Sequence, residues 1–231
     1  TYASRNPSVE DKDFPLGYKE KIPEKKEIIN AENFWMNNGI IKHKNEFIIC
    51  FFGNMAKHVL DLDTVIEAAR RLKTSGYYKI RFVLCGTGDN YKYFKKMAQG
   101  CENVLFPGWV DAHEIWTLMR ISNIGIIPYE SRKDFKSSIP NKVIEYMSAG
   151  LPVVSSLQGI LEDLLSKNEC GITYPNGSAE ELASVLSNLY ENPDRLRKMA
   201  NNSYQLYKTQ FVAEKVYKEM IEYLHLISIN N

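Results

Sequence analysis

Long apolar runs are missing from this sequence. The longest, Phe47-Ile48-Ile49-Cys50-Phe51-Phe52, falls far short of the roughly 20 residues that a membrane-spanning helix needs. A charge excess is missing too. Lys and Arg number 29 against 28 Asp and Glu, a net charge of +1, so the basic stripe of a non-specific nucleic-acid binder is excluded. Cysteine is sparse: Cys50, Cys85, Cys101 and Cys170 show no CxxC spacing. Cys50 and Cys85 sit inside apolar runs, where buried reduced thiols are common. That usage fits a cytoplasmic protein, including one lying peripherally at the inner face of a membrane. His43, His58, His113 and His225 lack ligand spacing, and no metal site is expected. A Walker P-loop and a G-x-S-x-G nucleophile elbow are both absent. The start, Thr1-Tyr2-Ala3-Ser4-Arg5, has no apolar signal segment and no Met, which points to a processed or excised piece.

What is present is an ordinary globular composition, 44% hydrophobic and 25% charged over 231 residues, enough for one sizeable core. Residues 1–44 carry Pro7, Pro15 and Pro23 and a lysine-rich patch (Lys19, Lys21, Lys25, Lys26) without sustained periodicity. They read as a linker or arm, with one helical turn near Ala31–Asn37. From residue 45 to 210, short apolar runs (Phe47–Phe52, Ile80–Cys85, Val104–Phe106, Ile124–Pro128, Val153–Ser155, Gly171–Tyr174) alternate with helical segments. That alternation predicts βαβ units and a parallel sheet of about six strands with helices on both faces. Residues 211–231 predict a last helix, closing a Rossmann-like, doubly wound α/β domain with a helical extension.

In such sheets a ligand sits outside the carboxyl ends of the strands. The segments leaving those ends include Gly53-Asn54-Met55, Gly86-Thr87-Gly88 and Gly108-Trp109-Val110, and a backbone approaches a phosphate most closely where no Cβ intervenes. The stretch Ser137-Ser138-Ile139-Pro140-Asn141-Lys142-Val143-Ile144-Glu145-Tyr146-Met147-Ser148-Ala149-Gly150-Leu151-Pro152 predicts a short helix. Its serines suit an N-cap, Pro140 suits the first turn, and Gly150 with Pro152 is a stop. Val143, Ile144 and Met147 form its buried side, with Lys142 and Glu145 on another face. A cation in the first turn opposes the helix dipole by about 0.3–1 kcal/mol, and a bound anion reverses that cost. Glu145, one turn on, suits the vicinal hydroxyls of a ribose. The competing reading is an i,i+3 ion pair between Lys142 and Glu145 on an exposed face.

From Glu46 onward, the sequence resembles the C-terminal, donor-binding half of retaining GT-B glycosyltransferases of family 4. The likeness is collinear. It runs through Phe82-Val83-Leu84-Cys85-Gly86-Thr87-Gly88, Asn103 to Val110, Ile126-Ile127-Pro128-Tyr129, the Pro140-Asn141-Lys142-x-x-Glu145-Tyr146-Met147-x-x-Gly150-x-Pro152-Val153 string and Gly171 to Tyr174. The resemblance implies transfer of a sugar from a nucleotide diphosphate-sugar, of UDP or GDP type, to a glycan or lipid-linked acceptor with retention of configuration and without a cofactor. It implies that Glu145 is the second glutamate of an E-x7-E motif and holds the ribose. Lys142 and the amides around Ser138, Pro140 and Asn141 would hold the diphosphate, with Gly53 at the first loop. Gly86 and Gly88 would line the nucleotide side, Val110 would pass the base, and Pro128 with Tyr129 would form a wall. It further implies an N-terminal domain outside this chain that completes the site, so that the isolated chain lacks activity.

Two positions depart from the family pattern. The first glutamate of E-x7-E is replaced by Ser137, and at the first loop Lys57 is the one nearby cation. The serine leaves open a second class, a non-catalytic nucleotide-binding module. A dinucleotide-binding domain fits less well, because the third glycine of G-x-G-x-x-G is replaced by Tyr91. Of the tryptophans, Trp116 is expected in the core and Trp109 partly exposed in its loop.

Overall fold

A computed structural model describes residues 12–40, 46–56, 59–130 and 132–230. Six strands, β1 (Phe47–Phe52), β2 (Ile80–Cys85), β3 (Val104–Gly108), β4 (Ile124–Ile127), β5 (Val153–Ser155) and β6 (Gly171–Thr173), form one sheet in the order β3-β2-β1-β4-β5-β6. Every pairing is parallel. The strand order reverses between β1 and β4, which puts a crevice above their carboxyl ends.

All six residues of β1 are buried, because both faces of the sheet are covered. Phe47, Ile49 and Phe51 pack on one side with α2 (Leu62–Thr74), α3 (Tyr91–Met97), α8 (Ala179–Glu191) and the start of α9 (Pro193–Leu206). Ile48, Cys50 and Phe52 pack on the other with α1 (Lys25–Asn37), α4 (Ala112–Ile121), α6 (Asn141–Ser148) and α7 (Ile160–Lys167). A short α5 (Lys133–Lys136) precedes α6, and a π-helical turn over Tyr207–Phe211 leads into α10 (Ala213–Asn230). All four cysteines are free and buried, and burial pushes the Cys50 thiol up to about 12, which leaves it inert.

Part of the segment expected to be a linker is ordered structure. Residues 25–37 form thirteen residues of helix rather than one turn. Glu24 and Glu27 make a reciprocal capping box at its start, and Ala31 and Trp35, four apart, bury one face. Trp35 is 1% exposed and donates from Nε1 to the Glu114 carbonyl at 2.9 Å, which ties α1 to α4. Upstream, the Tyr18 amide donates to the Phe211 carbonyl at 2.8 Å, and the Ala213 amide to the Tyr18 carbonyl at 3.1 Å. The arm therefore lies along the turn before α10.

One contact sets α6 on the sheet. Gly125 in β4 has no side chain, and the Tyr146 ring fills that space; a Cβ at position 125 would lie 2.3 Å from the ring. Tyr146 is fully buried, and its hydroxyl lies 3.2 Å from the Cys50 carbonyl and 3.4 Å from that of Ile126. Its ring meets Phe52 edge-on at 5.2 Å. The neighbour of Tyr146 in sequence is Glu145, so this packing also fixes where Glu145 points.

Candidate active site

Above the carboxyl ends of β1 and β2, between the N-termini of α4 and α6, lies a cleft of about 460 Å³. Phe52, Gly53 and Asn54 line it from the end of β1, and Cys85 and Gly86 from the end of β2. Trp109, Val110, Asp111, Ala112 and Ile115 line it from the β3–α4 connection, and Lys142 and Glu145 from α6. Its walls are mostly apolar, with charge gathered at α6, as in small-molecule sites generally.

Lys142 lies directly over Gly53. A Cβ on Gly53 would stand 2.7 Å from Lys142 Cε and 3.0 Å from Nζ. The glycine is the reason the ammonium reaches the mouth of β1. Lys142 Nζ donates to Tyr129 Oη at 3.4 Å, and among the described residues no ion pair joins it to Glu145. The i,i+3 pair is thus not formed, and two opposite charges face the same cleft separately. Burial raises the pKa of Glu145 above its usual 4.5, and the Lys142 charge offsets only part of that rise. The α6 N-terminus presents first-turn amides without intrahelical acceptors on the same side.

The other expected site residues are distributed as follows. Gly53, Gly86 and Val110 line the cleft together with Lys142 and Glu145. Gly86 is buried, with φ +128°, and a Cβ there would strike the Gly53 carbonyl oxygen at 1.8 Å. Gly88 is not among the lining residues; a Cβ on it would meet Asn54 Oδ1 at 2.4 Å and Met55 at 2.8 Å. Its small size serves the packing of one loop on another. Pro128 is buried, its carbonyl accepting from the Asp61 amide at 2.7 Å, so it supports the site from beneath. The serine cap is corrected: Pro140 is the N-cap residue, without a side-chain bond. The Ser138 amide donates to the Phe135 carbonyl at 3.4 Å, closing α5, and Pro140 has no N–H. Asn141, exposed at the first position of α6, keeps an amide toward the crevice. Lys57 lies outside the described residues.

Sequence reasoning missed the arm. Burial and the neighbouring carboxylates of Glu145 and Glu20 push the Tyr18 phenol up to about 12, which places Tyr18 beside the site. Glu20 accepts from Trp116 Nε1 at 2.8 Å and from Arg120. Trp116 is therefore half-buried under the arm and not in the core. Neither contact has a local sequence signal, because arm and helix are about a hundred residues apart. Asn54, the residue after Gly53, was visible only as a departure from the family pattern.

The sequence profile described as "Glycosyl transferases group 1" matches residues 36–206, well over half of the chain. The chain belongs to that family. Among curated relatives, the amylovoran biosynthesis glycosyltransferase AmsK of Erwinia amylovora is 28% identical over 171 residues, 72% of this chain and 42% of AmsK. The putative colanic acid biosynthesis glycosyltransferase WcaL of Escherichia coli K12 is 24% identical over the same shares. The chain thus spans less than half the length of these curated relatives. Among solved structures, HepE of Anabaena in complex with UDP superposes with a TM-score of 0.69 at 19% identity, over 88% of this chain and 53% of HepE. At that identity the likeness shows the fold, the Rossmann-like half of a GT-B glycosyltransferase. No helix among the described residues is long and apolar enough to cross a membrane.

The raised pKa of Glu145 has a testable consequence for stability. The folded state holds this proton more tightly than the unfolded chain, so the associated stability is complete below pH 4.5 and is lost as pH rises through the higher folded value. At pH 7 the carboxylate is charged and partly desolvated. Glu145→Gln is expected to raise Tm at pH 7 relative to wild type, with the gain vanishing at pH 4, while nucleotide affinity falls. Thermal unfolding of both proteins across that range checks it; a variant that is less stable at pH 7 only would contradict the assignment.

Proposed function

We propose that this chain is the donor-binding half of a retaining glycosyltransferase, and that the cleft takes a nucleotide diphosphate-sugar of UDP or GDP type. The observation that carries this is the pairing of Lys142 over Gly53 with a half-buried, unpaired Glu145 one turn further along α6. Lys142 and the first-turn amides of α6 face the diphosphate, and Glu145 accepts from the ribose hydroxyls. As the sugar departs, negative charge grows on the diphosphate. The ammonium and amides are already oriented toward it, so they stabilise the transition state more than the ground state. HepE has been solved with UDP and with UDP-glucose, which supports a uridine donor as the first to try. Retention of configuration follows from the family resemblance. The acceptor, a glycan or glycolipid of the kind assembled by polysaccharide-synthesis relatives such as AmsK and WcaL, would be bound with the help of an N-terminal domain of the same protein. The isolated chain is then inactive.

Calorimetric titration with UDP, GDP and ADP tests this. One nucleotide should bind in the micromolar to millimolar range, and the chain alone should turn over no donor. Absence of binding by all three would overturn the site, and robust transfer by this chain would overturn the division of labour. Ser137, where the family pattern has a glutamate, favours a second reading as a nucleotide-binding module without transferase activity. Full-length protein separates the two: transfer that is lost on Glu145→Ala identifies the enzyme.

A further inference from the structure

Trp109 is 73% exposed, the largest exposure among the big apolar side chains of the described residues. The packing of its loop is carried by its neighbours: Gly108 is buried and Val110 is 5% exposed. The indole therefore contributes little to the core. It is not a solitary surface aromatic either, because it lines the cleft that holds Lys142 and Glu145. Nor is it a free rotor: its Nε1 donates to Asp111 Oδ1 at 3.3 Å. Asp111 is the N-cap of α4, in a capping box with Glu114, so the indole is tethered to the rigid start of a helix.

Sheet order sets its distance from the charged end. β2 separates β3 from β1, and neighbouring strands lie about 4.8 Å apart, so the exit of β3 stands roughly 10 Å from the exit of β1. Lys142 sits over the latter. An aromatic face and an ammonium at that separation, with a carboxylate on the same cleft, match the base, diphosphate and ribose of one nucleotide. Resting on the proposed donor site, we infer that Trp109 is the residue on which the nucleobase stacks. Because every base has a π-face, the contact supplies affinity without choosing the base, and choice falls to the main chain around Val110.

The experiment titrates the chain with UDP, GDP and ADP by calorimetry and by indole fluorescence, and then follows the tightest ligand in Trp109→Ala and Trp109→Phe. Wild type should show quenching at saturation. Trp109→Ala should bind at least fivefold more weakly with an unchanged Tm, since the side chain is exposed. Trp109→Phe should keep affinity within about threefold, as a ring can still stack, yet lose the quenching. Unchanged affinity in Trp109→Ala, or quenching that persists in Trp109→Phe, overturns the stacking role while leaving the nucleotide site intact. No binding by wild type overturns both.

Discussion

Lys142→Ala should weaken binding of the cognate nucleoside diphosphate at least tenfold and lower turnover of the full-length transferase a hundredfold or more. The two losses differ in origin. A charge-assisted hydrogen bond to a ligand is worth about 1.5–3 kcal/mol, and tenfold is about 1.4 kcal/mol. Turnover suffers further because charge on the departing diphosphate grows in the transition state, where removing one pre-oriented donor typically costs about 10²–10³. Stability should move the other way. Lys142 is the second residue of α6, and its charge opposes the helix dipole there by about 0.3–1 kcal/mol, so the alanine variant should unfold at an equal or slightly higher temperature. Lys142→Arg should not rescue. The space over Gly53 already brings Cε within 2.7 Å of where a Cβ would stand, and a planar guanidinium is wider than an ammonium. A variant that binds normally, or that binds weakly only because it is unfolded, would remove Lys142 from the site.

The strands were legible because each is a short run of consecutive apolar residues, which only a sheet covered on both faces requires. Helix α6 was legible for its buried side, and Lys142 and Glu145 for their i,i+3 spacing. What the sequence hid were contacts made between distant segments. In α1, Ala31 and Trp35 are the two fully buried positions of thirteen, too few to register as a period in a segment rich in Lys, Glu and Asn. Trp116 looked like core because its partner, Glu20, comes from the arm. Gly86 and Gly88 suggested close approach to a ligand, and close approach is what they provide. At Gly86 the approaching group is the Gly53 carbonyl, and at Gly88 it is Asn54 and Met55. A glycine in the sequence reports that something comes near; it does not report what. Ser138 and Pro140 were assigned to capping from residue type alone. The short α5 takes the Ser138 amide first.

Gly125→Ala should lower stability by about 3 kcal/mol and weaken nucleotide binding in the protein that remains folded. Gly125 lies inside β4, fully buried, and an added Cβ would stand 2.3, 2.4 and 2.7 Å from three carbons of the Tyr146 ring. Neither partner can yield without loss. The strand is paired in register with β1 and β5, and the ring is wholly buried with its hydroxyl on two carbonyls. Overpacking of this kind costs typically 1–3 kcal/mol and occasionally more, and displacing the hydroxyl from its acceptors adds about 1 kcal/mol. If the ring moves, α6 moves with it, carrying Glu145 and Lys142 away from Gly53; affinity is then lost through geometry although no ligand-facing atom has changed. Urea unfolding measures the first effect and calorimetry on the folded variant the second. The companion change Tyr146→Leu separates cause from coincidence. Alone it should destabilise by leaving a cavity, whereas together with Gly125→Ala it should cost less than the sum, with a coupling of about 0.5–3 kcal/mol. Additive losses would mean that Gly125 is not the seat of Tyr146 and that something else sets α6 on the sheet.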